Sequence, residues 1–161
     1  MTAANESAGV WWRRISLRQC LLLLVLFGNV GLVAELLLLG HTDSFNQWIP
    51  LIVLVLGTVS TLVVMLRPGY RVLRVFQWVM ASFLMAGVLG LYLHYRGNVE
   101  FALERYPEAT GLSLMWKALR GATPTLAPGA LAQLGLLGII YTYKHPILSD
   151  RAGGDTEVEG S

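Results

Sequence analysis

The chain places one carboxylate, Glu35, inside an otherwise uncharged apolar run, Cys20–Leu39. A carboxylate within hydrocarbon costs about 2.5–3.5 kcal/mol on insertion scales, so it must face a packed interior, find a partner or take up a proton. Glu35 shares the i, i+3, i+7 spacing of a helix face with Gly28 and Gly31, a small-residue face expected to pack inward. It lies about 8 Å from the run's midpoint, toward the outer surface. In the third apolar run Gly90 stands at the same level, with His94 one turn further along the same ridge and Arg96 just beyond. Carboxylate and imidazole are therefore expected to meet near the outer leaflet, as a structural pair or as a proton- or ion-coupled site. A metal site built from Glu35, His41 and His94 lacks a recognised ligand spacing, and a haem on His41 and His94 needs a ligand from a loop. No metal or other cofactor is expected. His145 falls at the opposite end and joins none of these groups.

A second polar set lies deeper. Asn29, Thr58, Ser82 and Gln133 each fall within about 3 Å of the midpoint of an apolar run. An amide there needs a partner, so these four are expected to form a midplane layer of hydrogen bonds between helices, or to line a polar pathway. The chain holds no nucleophile elbow, phosphate loop, zinc-protease helix or Cys-x-x-Cys pair, and no catalytic residue is assigned.

The elements that must position these residues follow from composition. Of 161 residues, 55% are hydrophobic and 14% are charged, against roughly 25% charged in ordinary soluble domains. A formal net charge of +2 gives no reason to expect nucleic acid, and a single cysteine, Cys20, excludes an internal disulfide. An all-α integral membrane protein is predicted, its first partner the lipid bilayer. Four stretches, 20–39, 49–66, 75–93 and 126–143, have the length of a bilayer's hydrocarbon core at about 1.5 Å per residue. The first exceeds the apolar length of a signal peptide and lacks a small-x-small cleavage site, so it is expected to stay in the chain. Together they predict a four-span antiparallel transmembrane helix bundle over residues 20–148, packed through Gly28, Gly31, Gly57, Ala86, Gly90, Gly135 and Gly138.

Basic residues orient it. Arg13, Arg14, Arg18, Arg67, Arg71, Arg74, Lys144 and Arg151 fall on one side of the four spans, and Arg96, Arg105, Lys117 and Arg120 on the other. The excess puts both termini in the cytoplasm, with the basic, aromatic segment 1–19 and a disordered tail, 149–161. Trp11, Trp12, Trp48, Tyr70, Tyr95, Tyr141 and Tyr143 fall at span ends as an aromatic belt. Ten arginines against two lysines suggest a bacterial protein of the inner cell membrane. The outer connection, 96–125, is too long for a turn. It holds one helical pattern over Asn98–Tyr106, with Val99, Ala102, Leu103 and Tyr106 on a face. A second opens at Pro107 and sets Leu112, Met115, Trp116 and Leu119 at i, i+3, i+4, i+7, an amphipathic helix expected to lie in the headgroup plane.

Glu35, preceded by Ala34 in a glycine-containing first span of four, resembles the small multidrug-resistance exporters, in which such a glutamate exchanges drug for protons. The resemblance covers one span and implies a transport site at Glu35. The 30-residue outer connection, the polar tails and the off-centre glutamate depart from that family. Abundant packing faces without a catalytic set point first to a non-enzymatic accessory or scaffold subunit of a membrane assembly, with a membrane-protein partner or a second copy. A small transporter using Glu35 and His94 is the alternative.

Overall fold

The computed structural model describes residues 16–40, 45–121 and 128–149. Most of the basic N-terminal segment, His41, the start of the expected fourth span and the tail from residue 150 lie outside them. Among the described residues the chain forms α1 (Leu17–Leu38), α2 (Phe45–Leu66), α3 (Tyr70–Arg105), α4 (Gly111–Leu119) and α5 (Gly129–Thr142). Ser16 starts α1 with a capping box: its hydroxyl accepts from the Gln19 amide at 3.2 Å, and the Gln19 side chain accepts from the Ser16 amide at 2.9 Å. Gly40, at φ +62°, turns the chain away at the other end.

Helices α1, α2 and α3 are long and apolar enough to cross a membrane. Only 17% of the most apolar window of α1, and 28% of those of α2 and α3, is buried inside the protein. Many of the others, among them Leu24, Phe27, Leu38, Val55, Val59 and Val75, are exposed, which is stable only where the surroundings are themselves apolar. The fourth expected span is shorter than the sequence predicts. Helix α5 has 14 residues, about 21 Å, and begins at Gly129. Pro128 supplies no side-chain cap. Beyond Thr142 the backbone turns extended at Tyr143 and left-handed at Lys144; a continuing helix could not pass Pro146, which has no N–H for the Thr142 carbonyl and whose ring would crowd it.

Helix α3 is longer than predicted, at 36 residues or about 54 Å. The pattern at Asn98–Tyr106 is not a separate connector helix but the last two turns of α3 and its C-cap. An i, i+4 ion pair, Arg96 to Glu100 at 3.0 Å, bridges Gly97, and the helix stops where Tyr106 precedes Pro107. The buried face of this extension is Asn98 and Ala102; Leu103 and Tyr106 are exposed. Helix α4 folds back along it, burying Ala118 and bringing Gly121 against the Asn98 side chain, while Lys117 Nζ sits 3.8 Å above the Tyr106 ring. The stripe Leu112, Met115, Trp116 and Leu119 stays exposed.

The core gathers Leu22 and Val25 of α1, Leu54 and Val64 of α2, Phe76, Met80 and Phe83 of α3, and Leu131, Leu134 and Tyr141 of α5. The closest backbone approach is between α3 and α5. A Cβ on Gly135 would lie 2.6 Å from the Met80 carbonyl oxygen, and one on Gly87 would lie 2.6 Å from the Ala132 nitrogen. Gly138 meets Met80 and Phe76, Gly90 meets Pro128, and Ala86 is partly buried against the core. Gly57 of α2 abuts Phe83 and Asn29, and Gly28 of α1 abuts Leu134. Gly31 differs: a Cβ there would meet open space.

Candidate functional site

Glu35 is exposed, not turned into the bundle. The inward face of α1 runs instead through Leu22, Val25 and Asn29, with Leu32 and Leu36 partly buried against the core. Gly28, Gly31 and Glu35 lie about 120° around the helix from it, on the far side of the contact with α5. The two glycines read as a packing signal from sequence, but among the described residues only Gly28 is used for packing, against Leu134. His94 is half-buried on α3. Among the described residues Glu35 forms no ion pair, so the expected carboxylate–imidazole pair is not assembled here.

The four midplane residues do not bond to one another across helices. Thr58 Oγ1 donates to the Leu54 carbonyl at 2.9 Å and Ser82 Oγ to the Val79 carbonyl at 2.7 Å, each within its own helix. A hydroxyl three or four residues downstream of a helical carbonyl satisfies itself this way. Gln133 is exposed on α5, lining a shallow apolar groove with Gly28, Gly31, Leu32, Ala130 and Leu137. Asn29 is fully buried against Gly57 and Phe83, with neither Oδ1 nor Nδ2 hydrogen-bonded. Thr61, equally buried, returns its proton to the Gly57 carbonyl at 2.7 Å.

A cluster of polar contacts between helices lies at the Arg18 end. The Arg18 guanidinium donates to the Tyr141 carbonyl at 2.5 Å, to the Lys144 carbonyl at 3.0 Å and to the Tyr143 carbonyl at 3.2 Å. The last carbonyls of a helix have no intrahelical donor and carry its negative dipole end, so a cation there is both cap and counter-charge. Beside it, the Tyr141 hydroxyl lies 3.4 Å from His145 Nε2, and the Tyr141 ring meets Phe76 edge-on at 5.8 Å. Gln77 Nε2 donates to Thr142 Oγ1 at 3.1 Å, and Arg74 donates to Gln77 Oε1 at 3.3 Å, tying α3 to the same terminus. Burial, then the neighbouring Arg18 charge, holds the His145 imidazole below its ordinary value of 6.5.

Sequence reading does not single out this cap, since Arg18 and Tyr141 are 123 residues apart and no local motif joins them. It places both at the cytoplasmic ends of their spans, which is the usable signal. Gly87 was also missed. The buried set Phe76, Met80, Phe83, Gly87 repeats at steps of four, three and four, and that seam marks Gly87 as a point of close approach to α5.

What these arrangements can do chemically is limited. The Arg18 cluster fixes one helix end to another. The α1–α5 face holds a carboxylate and an amide on an apolar surface, suited to receiving a hydrogen-bond donor or a cation. Comparison with protein-family models, with curated proteins and with solved structures finds no match to this chain.

Proposed function

We propose that this chain is a non-enzymatic accessory or scaffold subunit of a larger membrane assembly, a multi-pass protein of the cell membrane with both termini cytoplasmic. The observation that carries the reading is the exposed Glu35 on an apolar helix, beside an unfilled Gly31. A lone carboxylate facing acyl chains is costly, and the cost is removed when another protein covers it. The transporter alternative needs Glu35 and His94 at one inward-facing site, and the outward position of Glu35 gives it no support.

Orientation draws support from the Arg18 end, where Arg18 and Lys144 meet and Arg74 reaches the end of α5 through Gln77. Of the basic residues counted on that side along the sequence, the described ones, Arg18, Arg67, Arg71, Arg74 and Lys144, fall at this end of the helices. Helix α5 runs antiparallel to α3 from Pro128, against Gly90, to Thr142, beside Gln77, and acts as a short fourth crossing. Helix α4 stands just beyond the other side, its stripe of Leu112, Met115, Trp116 and Leu119 exposed, and serves as an interfacial helix at headgroup level.

Extraction in a mild detergent or directly into lipid nanodiscs tests the subunit reading. A stoichiometric complex with another membrane protein is expected, and its loss should lower the chain's unfolding temperature. A homogeneous single chain of undiminished stability would overturn it.

A further inference from the structure

We propose that the open face of α1, together with the adjoining flank of α5, docks one transmembrane helix of a different protein, and that this helix carries a basic side chain in the outer half of the bilayer. The proposal rests on the subunit reading and names the partner's chemistry.

Helix α1 carries two seams. One, Leu22, Val25, Asn29, Leu32 and Leu36, advances by steps of three and four and faces this chain's own core. The other, Leu24, Gly28, Gly31, Glu35 and Leu38, advances by steps of four and three on another face. Leu24 is 55% exposed and Leu38 88% exposed, so the second seam is open at both ends. A repeat averaging 3.5 residues is what a helix presents to a neighbour crossing at roughly 20°, with side chains of one seated between those of the other. A flat lipid contact requires no such repeat.

The shape agrees. Gly28, Gly31 and Leu32 form one wall of the groove, with Ala130, Gln133 and Leu137 opposite. The missing side chain at Gly31 leaves space that no atom of the described residues fills, where a second backbone can approach closely.

Charge then selects the occupant. Glu35 stands one turn beyond Gly31 on the same seam, about 9 Å outward of Asn29. Its stem is too short to lift the carboxylate to the headgroups as lysine and arginine do. A partner lysine or arginine at that depth would neutralise it, and the Gln133 amide, near the midplane, offers a second polar contact. A second copy of this chain answers poorly. In a parallel two-fold pair Glu35 would meet Glu35, and the closest arginine along α3, Arg96, lies about 10 Å further out and is paired with Glu100.

The test uses the full chain in lipid vesicles, labelled at its amino terminus, and a synthetic leucine–alanine transmembrane peptide bearing an acceptor dye. One peptide carries a single lysine about 9 Å outward of its centre; its control has leucine there. Energy transfer should show the lysine peptide binding at least about ten-fold more tightly. Glu35→Gln should erase that preference, and Gly31→Leu should abolish binding of both peptides while leaving helicity and unfolding midpoint unchanged. Equal binding of the two peptides, or binding indifferent to Gly31→Leu, would overturn the proposal. So would energy transfer between two labelled copies that Gly31→Leu removes, which would give the groove to a second copy. A photo-crosslinking residue at Gly31, and separately at the exposed positions Val59 and Trp78, separates this proposal from the subunit reading in native membranes. Adducts from Val59 or Trp78 without one from Gly31 leave the subunit reading and remove the groove; no adduct from any of the three removes both.

Discussion

Arg18 spends its charge on three carbonyls at the end of a helix 123 residues away rather than on an acid. Hydrogen bonds to a charged donor contribute about 1.5–3 kcal/mol when well formed, less where water reaches them. Arg18→Ala should therefore destabilise the protein by about 1–2 kcal/mol, read by reversible unfolding in mixed micelles. Arg18→Lys should recover less than half of that, because an ammonium lacks the planar fork that reaches several acceptors at once. An alanine variant of unchanged stability would show the contacts to be incidental. His145, in the same cluster, titrates with a definite sign. Its folded value lies below the ordinary 6.5, so as pH falls the unfolded chain takes up a proton before the folded one does. Stability present above pH 6.5 should fall through that point and go on falling until the depressed folded value is passed. His145→Gln should flatten this slope, as measured by unfolding between pH 8 and 5. Asn29 is buried and, among the described residues, unbonded.

At the scale of helices, the glycines expected to pack divide into those already in use and Gly31, which is left open. Gly135→Val would drive a side chain into the Met80 backbone and should cost about 1–3 kcal/mol or more. Gly31→Ala meets nothing and should change stability by no more than about 1 kcal/mol, in the stabilising direction, since alanine is the better helix former. Unfolding of the two variants side by side checks this; equal losses would mean that Gly31 is packed after all. The same pair marks what the sequence makes legible. That Gly28, Gly57, Gly90, Gly135 and Gly138 would meet neighbours is readable, because small residues at helical spacing have one use in a membrane. That Gly31 and Glu35 turn outward is not readable, because α1 is apolar on every side and periodicity cannot say which of its two seams the chain itself takes. The limits of α3 and α5 were misjudged for a related reason. Hydropathy marks where a segment is apolar, whereas a helix ends where the backbone is stopped, here at Pro107 and ahead of Pro146.

Over the whole molecule, three long apolar helices and a shorter one tie both described chain ends to one side. Cysteines placed singly at Ser16 and Ser149, with Cys20 replaced by serine, should react with an impermeant reagent from the same face of sealed vesicles. One at Thr110 should react from the opposite face. Labelling of Ser149 and Thr110 from a common face would mean that α5 enters and leaves on one side. The unequal helices also press on their surroundings. Helices α1 and α2 are each about 33 Å long, and α5 about 21 Å. With α5 as the fourth crossing proposed above, lipids along it would shorten or draw their headgroups inward by several ångströms, at a fraction of a kcal/mol for each. As vesicle chains lengthen from fourteen to twenty carbons that local mismatch deepens, so the α5 flank should loosen before α1 and α2 do, read by hydrogen exchange.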